Sequence, residues 1–353
     1  MVMGNTVWPL YGGCMIDTMN THEQHMGQAP SNVAQSTAAI AVKDLVKRYD
    51  DTLALDYLSM TVRRGEIYGL LGPNGSGKTT AINCILGLLT FDSGTIRIFG
   101  EPMGPTSYDL KRRIGIVPQD VAVFNELTVE ENINYFCSLY VPDRSHRKHL
   151  VQEAIDFVGL EDHRKFRPRK LSGGLLRRLN IACGIVHQPE LIFFDEPTVA
   201  VDPQSRNAIL EGIQKLNGRG STIVYTSHYM EEVEQICDRI QIIDHGRQIA
   251  LGTADELKRM ISLGERISIE TPALLGDALA RASVLQALDA LEGVQEASFD
   301  DGQLHIMCEQ DAHNLLDVLQ LLRAHQVAVG HISSHSPTLN DVFLALTGTT
   351  LRD

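Results

Sequence analysis

"GPNGSGKT" occupies Gly72–Thr79, and the residues on either side decide what it is. Ile67–Leu71 before it is an unbroken apolar run, and the residues after it have the spacing of an amphipathic helix. The glycines therefore fall at a strand-to-helix turn, the setting of a phosphate loop. Glycine lets successive backbone N–H groups converge on a phosphate where a Cβ would clash. Gly72, Pro73, Asn74, Gly75, Ser76 and Gly77 would form the cradle, and Lys78 would reach the β- and γ-phosphates. The Thr79 hydroxyl would ligate Mg²⁺, and Thr80 completes the nucleotide-binding turn. The alternative, a plain glycine-rich turn, lacks this flanking pattern.

The rest of the chain limits what such a loop serves. At 353 residues the length suits two domains and a sizeable core. A net charge of −13 argues against a nucleic-acid partner, whose binders are normally basic. Cys14, Cys84, Cys137, Cys183, Cys237 and Cys308 are scattered without a CxxC pair, which reads as a reducing compartment. No apolar run approaches the ~18 residues that cross a bilayer. No Lys or Arg precedes Lys43, so the basic start of a secretory signal is missing.

Residues 1–38 are rich in Met, Asn, Gln, Ser, Thr and Gly without periodicity and are expected to be a disordered tail. An early start is the other reading, since Met15, Met19 and Met26 are alternative first residues. From Ala39 the pattern sharpens. Leu58, Met60 and Val62 alternate, as do Ile96 and Ile98, while Leu191–Phe194 and Ile223–Tyr225 are continuous apolar runs between helical stretches. This predicts an α/β fold with a mostly parallel core sheet. Between about 120 and 186 the strands vanish, and Thr128-Val129-Glu130-Glu131 is a capping box opening a helix with Ile133, Phe136 and Tyr140 on one face. A smaller α+β unit is expected over 265–353. Ile267/Ile269, Ala297/Phe299 and Leu304/Ile306/Cys308 alternate as strands, while Val284/Leu285/Leu288/Leu291 and Leu315/Leu319/Leu322 repeat as helices. A strand at 328–333 would complete the ferredoxin-like order βαββαβ. Thr338 would cap a final helix containing Val342, Phe343 and Leu346.

Three further stretches carry chemistry. "LIFFDEP" (Leu191–Pro197) puts Asp195 and Glu196 just past a buried strand. Beside a phosphate loop, Asp195 would orient Mg²⁺ through its water and Glu196 would polarise an attacking water. "TSH" (Thr226–His228) ends another strand of the same sheet, at the edge where ligands bind. "LSGG" (Leu171–Gly174) opens a helix with a hydroxyl and bare backbone N–H groups, a second anion cradle.

In this order, Gly72–Thr79, Gln119 in "IVPQD", LSGG, Asp195/Glu196, Asp202 in "VDPQSR" and His228 resemble the ATP-binding-cassette (ABC) transporter ATPases, over roughly 39–264. The resemblance implies a P-loop NTPase cassette with N-terminal antiparallel strands and a helical insert. It implies ATP and Mg²⁺ as ligands, and a head-to-tail dimer of this chain with itself or with a paralogous subunit. In such a dimer Ser172, Gly173 and Gly174 would hold the γ-phosphate bound by the other subunit's loop. Tyr49 would stack on adenine, and Asp202 would cross the dimer interface. Gln119 would sense Mg²⁺ and the attacking water while touching the membrane half of the transporter. His228 would keep the γ-phosphate and Glu196 in register. Two departures stand out: Leu175 and Leu176 follow LSGG where Gln or Met often comes first, and Ala200 replaces a common Gly.

The arginines after LSGG and the terminal "TLNDVFLALTG" resemble type-2 exporters, the daunorubicin-type drug-efflux and nodulation-factor ATPases. Their permease is a separate polypeptide, which would place this chain peripherally on the cytoplasmic face of the plasma membrane. A soluble ABC ATPase without a permease, or an importer subunit, are the alternatives. Arg164, Lys165, Arg167, Arg169, Lys170, Arg177 and Arg178 form a basic cluster, expected to be a solvated face rather than a contact with lipid headgroups. His305, His313, His325, His331 and His335 have no standard metal-site spacing.

Overall fold

The computed structural model describes residues 38–261, 264–309, 312 and 314–347, so residues 1–37 of the expected N-terminal tail, His313 and Gly348 lie outside the described residues, while Ala38 is already strand. The chain opens with a hairpin, β1 (Ala38–Tyr49) and β2 (Thr52–Arg63). Its turn is made by Asp50 and Asp51, with Asp50 at φ 48°. Ile40, Val42, Leu58, Met60 and Val62 are buried, as their alternation requires. β3 (Ile67–Leu71), buried at every residue, leads through the glycine loop into α1 (Lys78–Ile85). β4 (Ser93–Ile98) and β5 (Glu101–Pro102) then join the hairpin in an antiparallel sheet of order β2-β1-β4-β5.

After α2 (Tyr108–Lys111) and β6 (Ile114–Val117) come three helices, α3 (Val129–Ser138), α4 (Arg144–Val158) and α5 (Gly173–Ile185). Both halves of the Thr128/Glu131 capping box form. Tyr140 lies beyond the end of α3 and stacks on His187, ring centroids 3.8 Å apart. The three helices share a core that includes Val129, Ile133, Leu150, Ile155 and Leu179.

β7 (Leu191–Asp195), α6 (Pro203–Gly218), β8 (Thr222–Ser227), α7 (Met230–Ile236), β9 (Arg239–Asp244), β10 (Arg247–Gly252) and α8 (Ala254–Lys258) follow. The central sheet runs β10-β9-β3-β8-β7-β6 and is parallel except for the β9/β10 hairpin. The three continuous apolar runs are thus its adjacent middle strands. Covered on both faces, they have no need to alternate.

The last segment is β11 (Arg266–Glu270), α9 (Ala278–Asp289), β12 (Val294–Asp300), β13 (Gln303–Cys308), α10 (Leu315–Ala324) and β14 (Ile332–His335). All pairings are antiparallel in the order β12-β13-β11-β14, the ferredoxin-like arrangement. The final strand starts later than its apolar character suggested, because pairing with β11 begins only where Ile332 meets Ile269.

α11 (Leu339–Thr347) does not rest on this sheet. Leu339, Val342 and Phe343 are fully buried in the core of the parallel sheet, in one cluster with Met230, Val233, Leu257 and Ile261. Burying three such side chains stabilises by at most about 5–8 kcal/mol. Arg266 Nη1 lies 3.2 Å from Asp341 Oδ1 and ties the helix to β11.

Candidate active site

Strand register assembles the site. Leu71 at the end of β3 pairs with Ser227 of β8, and Thr226 of β8 pairs with Asp195 of β7. Three neighbouring strands therefore end level, and the loops carrying Lys78, Glu196 and His228 leave the sheet at one edge. This is where an open parallel sheet binds its ligand.

The glycine loop is walled in by backbone. Gly75 and Gly77 have φ of 82° and 105°, which disfavours side chains. A Cβ on Gly77 would stand 2.7 Å from the Ala54 carbonyl of β2, and one on Gly72 would overlap the Ile243 carbonyl of β9. Ser76 Oγ is buried in the loop and has no hydrogen-bond partner among the described residues. A buried hydroxyl left in this way suits a ligand that bonds there.

Lys78 is 5% exposed and donates to the Gly72 (2.7 Å) and Pro73 (3.1 Å) carbonyls. Its Nζ is 3.8 Å from Glu196 Oε1. Burial lowers its pKa, against the opposing pull of Glu196 and Asp195. Asp195 accepts from Thr226 Oγ1 at 2.6 Å on one oxygen and from Thr79 Oγ1 at 3.4 Å on the other. A hydroxyl and a carboxylate so placed are hard oxygen donors of the kind Mg²⁺ takes, with waters and substrate phosphates completing its shell.

Glu196 adopts φ 47°, a left-handed conformation rare for a side-chain-bearing residue. Its N–H donates to Thr226 Oγ1 at 3.0 Å, and its carbonyl accepts from Arg177 Nη2 at 3.0 Å. His228 Nδ1 is 3.3 Å from Glu196 Oε2, within ion-pair range but off the line of a hydrogen bond.

The other residues expected at the site divide into two groups. Thr80 follows in the first turn of α1, and the half-exposed Tyr49 ends the hairpin strand whose partner, β2, abuts Gly77. Gln119 has an exposed side chain, and it is its carbonyl that is held, by Arg177 Nη1 at 2.7 Å. Ser172 caps α5 by accepting from Leu175 N–H at 3.3 Å, and Gly173 is exposed, with the Ala200 carbonyl oxygen at ordinary contact distance from where its Cβ would be. Gly174 packs on Ser205 and Asp202 of the same chain, where Asp202 caps α6 by accepting from Ser205 N–H at 2.9 Å. That backbone bond lowers the Asp202 pKa. Ala200, the residue in place of a common Gly, sits at φ 58°, the left-handed region that favours glycine.

Two features were not foreseen. Arg177, grouped by sequence with a solvated basic face, is 4% exposed and hydrogen-bonded to three backbone carbonyls. Glu232 of α7 is buried and accepts from Thr198 (2.7 Å), Tyr225 (2.7 Å) and Ser227 (3.0 Å), with Arg206 Nε 3.2 Å away. It joins the segment after Glu196 to the segment before His228. Its acid spacing alone gave no signal, since "MEEVE" reads as an exposed helix start.

Fold and site together define a phosphate-loop nucleotide hydrolase built as a cassette with a helical insert. Residues 55–199 match the ABC transporter family model, and residues 252–347 match the C-terminal domain of DrrA1-3-like ATP-binding proteins. The chain is 38% identical to the linearmycin resistance ATP-binding protein LnrL of Bacillus subtilis, covering 89% of this chain and all of that one. It is also 38% identical to the daunorubicin/doxorubicin resistance ATP-binding protein DrrA of Streptomyces peucetius, covering 89% and 94%. The Nod factor export ATP-binding protein I of Ralstonia nicotianae is 36% identical over 92% and 99%. Among solved structures, the dimeric bacterial ABC transporter cassette MJ0796 aligns with TM-score 0.57 at 26% identity, over 61% of this chain and 98% of that one. The chain belongs to the ATP-binding subunits of ABC transporters, in the branch of exporter ATPases, and is an ATPase coupled to transport.

Proposed function

We propose that two copies of this chain, or one copy and a paralogous subunit, close head to tail around two ATP molecules and drive export through a separate permease. Lys78, Asp195, Glu196 and His228 meeting at one sheet edge is the observation that carries the reading. Gly72–Gly77 and Thr80 hold the phosphates, Lys78 neutralises the β- and γ-oxygens, and Tyr49 stacks on adenine. Thr79 and Asp195 hold Mg²⁺, with Gln119 reaching the same ion. When bound, Mg²⁺ would supply positive charge that offsets the charge developing on the phosphate oxygens. Glu196 takes a proton from the attacking water, and His228 keeps that carboxylate directed at the γ-phosphate.

Ser172, Gly173 and Gly174 serve the partner's nucleotide, and Asp202 lies at the interface between chains. The exposure of LSGG supports this: Ser172 and Gly173, at the start of α5, are solvent-exposed. Permease docking is assigned to the face beside Gln119, where Phe124 and Tyr135 meet edge to face at 4.8 Å with both rings exposed. Exposed aromatic surface of that kind marks contact sites. Among the described residues no helix is long and apolar enough to cross a membrane, which supports a peripheral position on the cytoplasmic face through the permease. The relatives named for linearmycin, daunorubicin and Nod factor support an organic natural product as cargo.

The units are assigned as a tail at 1–38, whose last residue Ala38 already starts β1, a cassette at 39–264 with its helical subdomain at 120–186, and an accessory domain at 265–353, whose final helix α11 packs into the cassette core. Lys78→Ala tests the whole reading: ATP affinity and hydrolysis should collapse together. Wild-type hydrolysis by the purified variant would overturn it.

A further inference from the structure

Arg177 is buried about one turn into α5, and its guanidinium spans two segments of the candidate active site. Nη1 donates to the carbonyls of Pro118 (3.0 Å) and Gln119 (2.7 Å), and Nη2 donates to the carbonyl of Glu196 (3.0 Å). Asn180, one turn further along α5, reinforces the first segment: its Nδ2 donates to Pro118 O at 3.1 Å, and its Oδ1 accepts from Ala122 N–H at 3.1 Å. The helix thus grips the Gln119 segment at both ends.

The contact with Glu196 is the more consequential. A residue at φ 47° persists only where its surroundings over-determine its backbone. Here Thr226 holds the peptide nitrogen and Arg177 holds the carbonyl, so the two fix the direction in which the carboxylate leaves the chain. A guanidinium suits the task because its planar fork offers five donors in fixed directions, whereas a lysine ammonium is a single point. Burying it is costly, and burial does lower its pKa. An apolar side chain would leave the Pro118, Gln119 and Glu196 carbonyls without this shared donor.

We infer that Arg177 is a positioning residue: it sets the geometry of Glu196 and Gln119 in its own nucleotide site and ties that geometry to the helix whose start, Ser172–Gly173, faces the partner's site. The inference rests on the roles proposed above for Glu196 and LSGG. Its consequence is that the first turns of α5 link one ATP site to the other, through three carbonyl contacts at Arg177 and the exposed helix start at Ser172–Gly173 one turn earlier.

The test uses the purified full-length chain, with single-turnover hydrolysis and ATP affinity measured separately. Arg177→Lys should bind ATP within about threefold of wild type, because the Gly72–Thr79 loop is untouched. Its hydrolysis rate should fall by about 10²-fold, the scale of a small misplacement of a catalytic group. The deciding readout is the double variant. In a Glu196→Gln background, Arg177→Lys should cost almost nothing further, because it acts through a carboxylate already removed. Equal losses in both backgrounds would mean a merely structural role and overturn the inference. So would an unchanged rate in Arg177→Lys. If Glu196→Gln itself kept wild-type turnover, the assignment of the base would fail instead, so the two failures are distinguishable. Should the lysine variant not fold, Arg177→Gln, uncharged and with two donors, carries the same comparison.

Discussion

Gly174 at the start of α5 and Ser205 at the start of α6 are packed so closely that a Cβ on the glycine would stand 2.5 Å from the serine Oγ. The glycine is therefore required by its own chain, whatever it does for a partner. Its neighbour Gly173 is under no such constraint, since among the described residues the nearest heavy atom its missing Cβ would meet beyond its own turn is the Ala200 carbonyl oxygen at 3.9 Å. The two glycines separate folding from function.

Gly173→Asp should place a carboxylate at the mouth of the second anion cradle without a clash inside the chain. ATP binding by the monomer should persist, while ATP-dependent dimerisation and hydrolysis are lost together, because like charges in a dry interface repel strongly. Gly174→Ala should instead lower stability by about 1–3 kcal/mol through overpacking. Loss of monomer ATP binding in Gly173→Asp would show that LSGG serves its own chain.

Glu196→Gln keeps size and polarity but cannot accept a proton. Hydrolysis should drop by ~10²–10⁴ while ATP is still bound and the dimer accumulates, as size-exclusion chromatography with ATP would show. Unchanged turnover refutes the role.

Ala200→Gly should stabilise the protein. Left-handed backbone costs an alanine about 1–2 kcal/mol, more than the roughly 0.5–1 kcal/mol of extra chain entropy that glycine loses. A rise in the thermal midpoint is expected, and a fall would mean that the methyl group contributes packing that its φ of 58° does not reveal.

His187 supplies a pH dependence. Burial pushes its pKa down to about 4, while its Nε2 bonds the Ile114 carbonyl at 3.1 Å and its ring stacks on Tyr140. The folded pKa lies below the unfolded value of about 6.5, so the unfolded chain binds the extra proton between them. Stability should therefore be lost as pH falls from 6.5 towards 4, by at most about 3 kcal/mol from this residue. Chemical denaturation of His187→Gln at pH 7 and pH 5 should show a smaller difference than wild type.

Much of this was legible in the sequence because the chemistry is local. The phosphate loop, the Asp195/Glu196 strand end and the Thr128/Glu131 box each declare themselves within a few residues. What stayed hidden depends on partners far along the chain. Arg177 looks like its basic neighbours, and only the carbonyls of Pro118, Gln119 and Glu196 converging on it explain its burial. The strand expected at 328–333 moved because register is set by β11, sixty residues earlier in the fold, and not by local apolar content. The amphipathic stripe of α11 announced a buried face but could not say which core it enters.

That last helix gives the chain an order of assembly. Phe343 and Val342 complete a core begun at Ile67, so the cassette closes its apolar interior only once the chain has been made as far as α11. A nascent chain stalled in the ferredoxin-like segment would display Met230, Val233, Leu257 and Ile261 without their cover, a surface for chaperones to hold. The last helix is thereby a condition of the cassette's own core: a copy without it offers an apolar face where Leu339, Val342 and Phe343 would otherwise close it.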